Sequence, residues 1–151
     1  MTNSEVVKDD LLISTDKTKL DVALIHHYLC MESYWAKNIP IALVEKSIAG
    51  SFCFGIYHHD AQVGFARVIT DHATFAYLAD VFVLESYRGK GLSKWLMETI
   101  IGHPDLQGLR RWLLATRDAH GLYAQYGFVP LDKPERIMGM KPFDEYPAIN
   151  S

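Results

Sequence analysis

The sequence has little cysteine, no excess of positive charge and no long apolar run. Its two cysteines, Cys30 and Cys53, form no close motif in a chain of 151 residues, so we expect buried, reduced thiols. The net charge is −3. Proteins that bind a nucleic-acid backbone usually carry a basic surface, so DNA and RNA are excluded as expected partners. No apolar stretch approaches the roughly 20 residues that a membrane span requires, and the amino terminus does not resemble a signal peptide. We therefore predict a cytoplasmic protein with no membrane partner.

Two kinds of ligand motif are also missing. The Walker pattern GxxxxGK[ST] is absent, and GxGxxG fails because Lys94 stands three residues after Gly91. Histidine pairs occur at positions 26–27 and 58–59. Neighbouring side chains diverge along a helix or a strand, and no third ligand has suitable spacing. We therefore expect no metal site.

The chain that remains is an ordinary globular one. Hydrophobic residues make up 49% and charged residues 22%, and the length suits a single domain with a real core. We predict one domain over residues 1–151.

The apolar pattern predicts alternating blocks of strands and helices. Apolar runs predict strands at residues 11–15, 51–59, 63–71, 74–83, 110–116, 128–131 and 136–140. Helical spacing predicts helices at residues 20–33, 38–50, 92–101 and 119–127, with Gly50 as a left-handed cap. The fold class is α+β (mixed α/β): one mostly antiparallel sheet of about six or seven strands, with helices on both faces.

A glycine-rich turn joins the strand that ends at Val83 to the helix that begins at Leu92. Backbone N–H groups at a helix start have no intrahelical partner and can bind one anion. Glycine permits a positive φ and keeps Cβ atoms away from the ligand. The residues "RGKG" (88–91) therefore predict a phosphate site, although a plain loop with solvated basic residues has the same composition.

A second motif makes the reading specific. The segments "VFVLESYRGKGLSKWLM" and "AHGLYAQYGFVPL" together resemble the GNAT family of acetyl-CoA-dependent N-acetyltransferases. The family's [QR]-x-x-G-x-[GA] pattern falls on residues 86–91, with Ser86 in the place of Gln or Arg. Its later pattern falls on Thr116, Ala119, Leu122, Tyr123, Gly127 and Phe128, with Thr116 in the place of a frequent asparagine.

The resemblance implies acetyl-CoA as cosubstrate and a cleft opened by a splayed strand. The pyrophosphate would lie on the backbone from Arg88 to Ser93, and the pantetheine arm along the strand near Phe82 and Val83. The cofactor-binding residues so implied are Phe82, Val83, Arg88, Gly89, Lys90, Gly91, Leu92, Ser93, Thr116, Ala119 and Tyr123.

Acyl transfer needs an acid and a base. The resemblance assigns the acid to Tyr123, whose phenol, with an ordinary pKa of about 10, stays protonated at neutral pH; the alternative is a core tyrosine. Asp80 is the first candidate for the base, because an acid within an apolar strand is often functional. A structural role beside Arg67 is equally compatible with its position. His120 is the second candidate, and a solvated or capping histidine is its alternative.

The resemblance assigns much of the acceptor side to the two helices after the first strand; the alternative for any single residue there is a packed amphipathic helix with a solvated edge. Aromatic and acidic residues in this part of the chain could hold an amine by cation–π contact and charge pairing. These candidates are His27, Tyr28, Glu32, Tyr34 and Trp35.

The predicted function is direct transfer of an acetyl group from acetyl-CoA to a primary amine of a small molecule in a ternary complex. Two alternatives stay open: an acetyltransferase that acts on a protein amine, and a non-catalytic acetyl-CoA-binding regulatory module. Exposed strand edges would allow a homodimer.

Overall fold

The structure, a computed structural model, describes residues 2–148. It contains one six-stranded sheet in sequence order. The strands are β1 Glu5–Lys8, β2 Leu11–Ser14, β3 Phe52–His58, β4 Ala61–Thr70, β5 Phe75–Val83 and β6 Arg111–Leu114. All neighbouring strands are antiparallel except β5 and β6, which are parallel.

Four α-helices pack on the sheet: α1 Val22–His27, α2 Ile41–Ala49, α3 Leu92–Ile101 and α4 His120–Ala124. On one face, Ile25 of α1 and Val44 of α2 pack with Phe65 and Phe82 of the sheet. The opposite face packs against α3 and α4, and the predicted α3 stripe at Leu92, Trp95, Leu96 and Ile100 is buried there. The predicted fold class, with helices on both faces, is confirmed.

Several boundaries have clear local causes. Asp21 caps α1, because its side chain accepts a hydrogen bond from the Leu24 N–H at 3.1 Å. The predicted helix at residues 20–33 ends early, since α1 stops at His27 and one wide π-type turn, Tyr28–Glu32, follows it. Gly50 ends α2 with a φ of −95°, so the predicted left-handed cap there is wrong. Gly127, after α4, does adopt a positive φ of 94°.

Three strand predictions differ from the structure. β1 was missed because all four of its residues are exposed and carry no apolar alternation. The strands predicted at residues 128–131 and 136–140 are wrong: those residues form irregular chain around one short turn, Pro134–Arg136. Phe128 packs partly against the core, but the other apolar side chains stay outside it: Val129 is 77% exposed and Met138 is 93% exposed. Pro130 also removes an N–H donor that a strand would need.

Both cysteines are free and buried, as predicted. Burial raises the pKa of the Cys53 thiol to about 11, so this thiol is unreactive at neutral pH. No helix within residues 2–148 is long and apolar enough to cross a membrane.

His103, just after α3, holds the amino terminus against the sheet. Its ring packs edge-on to Phe52 at a centroid distance of 4.9 Å. Nδ1 accepts the Asp105 N–H at 3.1 Å, so the neutral ring carries its proton on Nε2 and donates it to Ser4 Oγ at 2.8 Å. Burial lowers the pKa of His103. Protonation of Nδ1 would also break the bond from Asp105.

This arrangement predicts a pH-dependent stability. A histidine whose pKa is lower in the folded protein contributes stability above its unfolded pKa of about 6.5 and loses it as the pH falls towards the folded value. We expect the free energy of unfolding to fall more steeply between about pH 7.5 and about pH 5 in the wild type than in His103→Asn. Urea unfolding at several pH values measures this slope. The exposed His27 provides a control, His27→Asn, and a wild-type slope in His103→Asn would contradict the assignment.

Candidate active site

The sheet opens where β6 leaves β5. The two strands pair from Phe75 with Arg111 to Leu78 with Leu114, but β5 continues to Val83. Beyond Leu78, no strand among the described residues pairs with this edge of β5. A free strand edge and a wedge-shaped gap result.

A cavity of about 960 Å³ lies at this gap, at the upper end of the range for small-molecule sites. Its walls come from β5 and β6, from the α1–α2 connection, from α2, and from the start of α4. Tyr146, near the carboxyl end of the chain, closes one side.

Asp80 stands on β5 at the point where the strand bends. The pairing of β4 with β5 shifts register between Phe65 and Arg67, and Asp80 has a φ of 53°. A positive φ in a residue other than glycine costs about 1–3 kcal/mol and is common at functional sites. The bend turns a carboxylate out of an apolar strand and into the cavity.

Two side chains hold the Asp80 carboxylate, which is 9% exposed. Arg67 Nε donates to Oδ2 at 2.8 Å, and Trp35 Nε1 donates to Oδ1 at 2.8 Å. Arg67 Nη1 also donates to Ser51 Oγ at 3.0 Å. The structural role considered for Asp80 beside Arg67 is therefore real, and Trp35 is an additional partner. Each carboxylate oxygen keeps a second lone pair for a ligand.

Tyr34 joins the two sides of the cavity. Its hydroxyl accepts the Arg117 N–H at 3.0 Å, and the Arg117 guanidinium lies 3.9 Å from the centre of its ring. Tyr34 also meets Trp35 edge to face at 5.1 Å. The α1–α2 connection and the β6–α4 loop are thus tied together across the cleft.

Tyr123 lies in the floor of the cavity, on α4, and is 9% exposed. Burial, with smaller contributions from Tyr34 and Asp118, raises the pKa of its phenol. The group is therefore a neutral proton donor at neutral pH. Thr116 Oγ1 accepts the Ala119 N–H at 3.0 Å, so this hydroxyl caps the turn that leads into α4.

The glycine turn lies beyond the end of β5 and opens α3. Gly89 and Gly91 adopt φ values of 78° and 77°, and a Cβ at either position would meet no atom within 4 Å. Backbone conformation, not space, is therefore what requires glycine here. No side chain of the described residues caps α3, so the first amides of the helix stay available to an anion.

Arg88 does not project freely from this turn. Its guanidinium donates to the Val83 carbonyl at 3.0 Å and to the Tyr28 hydroxyl at 2.9 Å. The Tyr28 ring stacks on Phe82 at 4.0 Å with an angle of 9°. Arg88 therefore holds the glycine turn against β5 and against the wide turn Tyr28–Glu32. Lys90 Nζ lies 5.2 Å from the centre of the Tyr87 ring.

The structure divides the predicted site residues into three groups. The cavity brings together Tyr34, Trp35, Asp80, Thr116, Ala119 and Tyr123. The second group lies at the glycine turn and the end of β5: Phe82, Val83, Arg88, Gly89, Lys90, Gly91, Leu92 and Ser93. His27, Glu32 and His120 are exposed and do not line the cavity, and Tyr28 is buried behind Phe82.

Some cavity residues escaped prediction. Lys46, Arg117 and Tyr146 line the cavity, but none belongs to a motif. Arg117 could have been found from its place three residues after β6, in the loop that follows the splayed strand. Tyr146 gave no local signal.

Comparison with known proteins agrees with this geometry. A family model described as the acetyltransferase (GNAT) domain matches residues 49–130. A candidate acetyltransferase of Gibberella zeae is 30% identical over an alignment that covers 92% of this chain and 84% of that protein.

Solved structures match over most of the chain. A candidate GNAT acetyltransferase from Xanthomonas campestris pv. campestris is 56% identical with a TM-score of 0.85, over 87% of this chain and 92% of that one. A GNAT acetyltransferase from Elizabethkingia anophelis, solved with acetyl-CoA bound, is 15% identical with a TM-score of 0.62, over 83% of this chain and 80% of that one. At that identity the second match shows the fold alone.

Proposed function

Because the chain belongs to the GNAT acetyltransferase family, we propose that it transfers the acetyl group of acetyl-CoA to a primary amine of a small molecule, directly and in a ternary complex. The observation that carries this proposal is that three features lie next to one another: a free β5 edge, an uncapped glycine turn beyond it, and a cavity with a buried phenol beside it. We further propose that residues 1–151 act as one domain, since β1 and β2 belong to the same sheet as the elements that the family model matches.

The residues present fit acetyl-CoA. The amides from Arg88 to Ser93 can receive the pyrophosphate, because two positive-φ glycines and a helix start turn them towards one anion. The unpaired β5 edge towards Phe82 and Val83 can bond the amides of the pantetheine arm as a neighbouring strand would. Bound in this way, acetyl-CoA supplies an activated thioester.

Tyr123 is the proposed acid. The amine nitrogen attacks the thioester carbonyl carbon, the C–S bond breaks, and the departing sulfur takes the Tyr123 proton. A backbone N–H of the β5 edge near Phe82 would stabilise the negative charge that develops on the carbonyl oxygen. The raised pKa of Tyr123 keeps the proton in place until the thiolate forms.

Asp80 is the proposed base. It faces the cavity, and the second lone pairs of its oxygens can bind an incoming ammonium group and receive the proton, directly or through water. His120 does not line the cavity, so its position makes it the weaker candidate for the base. Trp35 and Tyr34 supply aromatic surface beside Asp80, which suits a cation. The cavity volume of about 960 Å³ falls within the range of small-molecule sites, which supports a small amine over a protein amine.

Acetyl-CoA binding is the first test of the proposal. Ligand at about 100-fold over its Kd stabilises a protein by about 2.7 kcal/mol, which for this length raises Tm by roughly 5–10 °C. We expect this shift with acetyl-CoA and none with ATP. Gly91→Ala should reduce the shift because alanine disfavours the required φ. Gly121→Ala, at an open position without positive φ, should retain it. An equal shift with ATP, or none with acetyl-CoA, would end the proposal.

Tyr123 is tested by removal of one oxygen atom. We expect Tyr123→Phe to lower kcat by about 100-fold or more and to leave the Kd for acetyl-CoA unchanged. The matched control is Tyr126→Phe, because the Tyr126 hydroxyl bonds the Lys94 carbonyl at 3.0 Å outside the cavity. Release of the CoA thiol, followed with a panel of amines, measures kcat for both variants. Wild-type kcat in Tyr123→Phe would remove the acid, and acetyl-CoA binding with no turnover on any amine would favour the regulatory module.

Asp80 is tested against His120. Asp80→Asn keeps an oxygen for Arg67 but cannot take up the amine proton, so we expect kcat/KM for the amine to fall by about 100-fold. His120→Ala should stay close to the wild type. Profiles of kcat and of kcat/KM for the amine against pH, recorded for both variants, measure this. Full kcat in both variants at every pH would show that neither residue is the base.

A further inference from the structure

Two hairpin turns at one end of the sheet bring three metal-ligating side chains together. The β1–β2 turn carries Asp10, and the β3–β4 turn follows His58 with His59. Because β2 pairs with β3 with Leu11 opposite His58, Asp10 is placed beside the two histidines. The cluster lies outside the lining of the proposed active-site cavity.

The sequence-based expectation that His58 and His59 point apart is wrong. His59 has a φ of 56°, which rotates its side chain towards that of His58. The two rings lie 4.4 Å apart at an angle of 34°. Alternation between sheet faces holds for extended backbone only, and the turn has already begun at His59.

The ligand atoms have nearly the spacing that a metal ion requires. Asp10 Oδ2 lies 2.7 Å from His58 Nε2 and 3.9 Å from His59 Nε2. Tetrahedral zinc with bonds of about 2.0–2.1 Å sets its ligand atoms about 3.3 Å apart. The two observed distances bracket that value, and small rotations in the exposed turns would equalise them.

His58 also has the outer partner that metal-binding histidines need. Its Nδ1 lies 2.8 Å from the Tyr87 hydroxyl, which fixes the orientation of the ring. The hydrogen bond from His58 lowers the pKa of Asp10, so this carboxylate is ionised at neutral pH.

We propose that Asp10, His58 and His59 form a binding site for a divalent transition-metal ion of the Zn²⁺ class. Asp10 Oδ2 and the two Nε2 atoms are the protein ligands, and water completes the coordination. Two imidazoles and one carboxylate select zinc-like ions over Mg²⁺ and Ca²⁺, which prefer oxygen ligands.

Binding requires one proton to change its place on His58. In the metal-free arrangement Nε2–H donates to Asp10, and Nδ1 accepts the Tyr87 O–H. A metal ion needs the lone pair of Nε2, so the proton must move to Nδ1. The Tyr87 hydroxyl can then accept it, because a phenol both donates and accepts. The N–H of His58 Nδ1 therefore keeps a hydrogen-bond partner when the metal ion binds.

The plain alternative is a hydrogen-bonded link from Asp10 through His58 to Tyr87 that only joins the turns. His59 separates the two readings. Its imidazole lies too far from Asp10 for a hydrogen bond, and its side chain is 73% exposed, so that link does not need it. A metal site does.

The test is calorimetric titration of untagged protein with Zn²⁺, and with Co²⁺, whose visible absorption reports tetrahedral coordination. We expect one ion per chain in the wild type, and at least tenfold weaker binding in His59→Ala and in Asp10→Asn. Tyr87→Phe should weaken binding about 10- to 100-fold through loss of the outer partner. His27→Ala is the matched control, because His27 is an exposed histidine that does not belong to the cluster of Asp10, His58 and His59.

The metal-free melting temperature of each variant shows whether its fold is intact. His59→Ala should melt like the wild type without metal and should lose the rise in Tm that Zn²⁺ gives the wild type. Wild-type affinity in His59→Ala, or no stoichiometric binding of Zn²⁺ to the wild type, would overturn the proposal. Neither result depends on acetyl-CoA or on turnover.

Discussion

The contacts that fix β5 beyond Leu78 are the constraint on which the rest of the site depends. At that point β6 departs, and β5 keeps β4 as its neighbour on one side only. The strand then bends at Asp80 with an unfavourable φ. Arg67 and Trp35 fix the carboxylate, and the ion pair is largely shielded from water. Loss of one partner would leave an uncompensated charge, which costs about 3–5 kcal/mol, so the pair keeps Asp80 in its bent conformation. The bend is therefore stable, and the cavity forms around it.

The other end of β5 is fixed by a different set of contacts. Arg88 reaches back to the Val83 carbonyl and to the Tyr28 hydroxyl, and Tyr28 stacks on Phe82. These contacts hold the glycine turn at a set distance from the free strand edge. A long ligand can then meet an anion site at one end and a buried phenol at the other without reordering of the protein, which limits the entropy lost on binding.

Much of the fold could be predicted from the sequence, and the reasons differ by element. α3 was predicted with its observed bounds because its apolar spacing is regular and two glycines precede it. β3, β4 and β5 follow from apolar runs separated by short polar turns. β1 could not be predicted, since it is held by pairing with β2 and its exposed residues carry no apolar alternation. The strands predicted after residue 127 failed because an apolar run does not show whether its side chains reach a core: Val129, Met138 and Met140 stay exposed. Within the site, the glycine turn and Tyr123 belong to local motifs. Of the two partners of Asp80, Arg67 lies 13 residues away on the neighbouring strand and was anticipated. Trp35 lies 45 residues away, and no local pattern pairs it with Asp80.

Tyr146 completes the cavity from a segment without helix or strand. Most other lining residues also serve the core, the sheet pairing or the cleft itself, so a change at those positions alters folding as well as recognition. Tyr146 has no comparable role in the core or the sheet, because the irregular chain around it contributes little to the packed layers. Under the proposed function, a substitution at Tyr146 would therefore change which acceptor the cavity receives, while the sheet, the core and the contacts of Asp80 stay as they are.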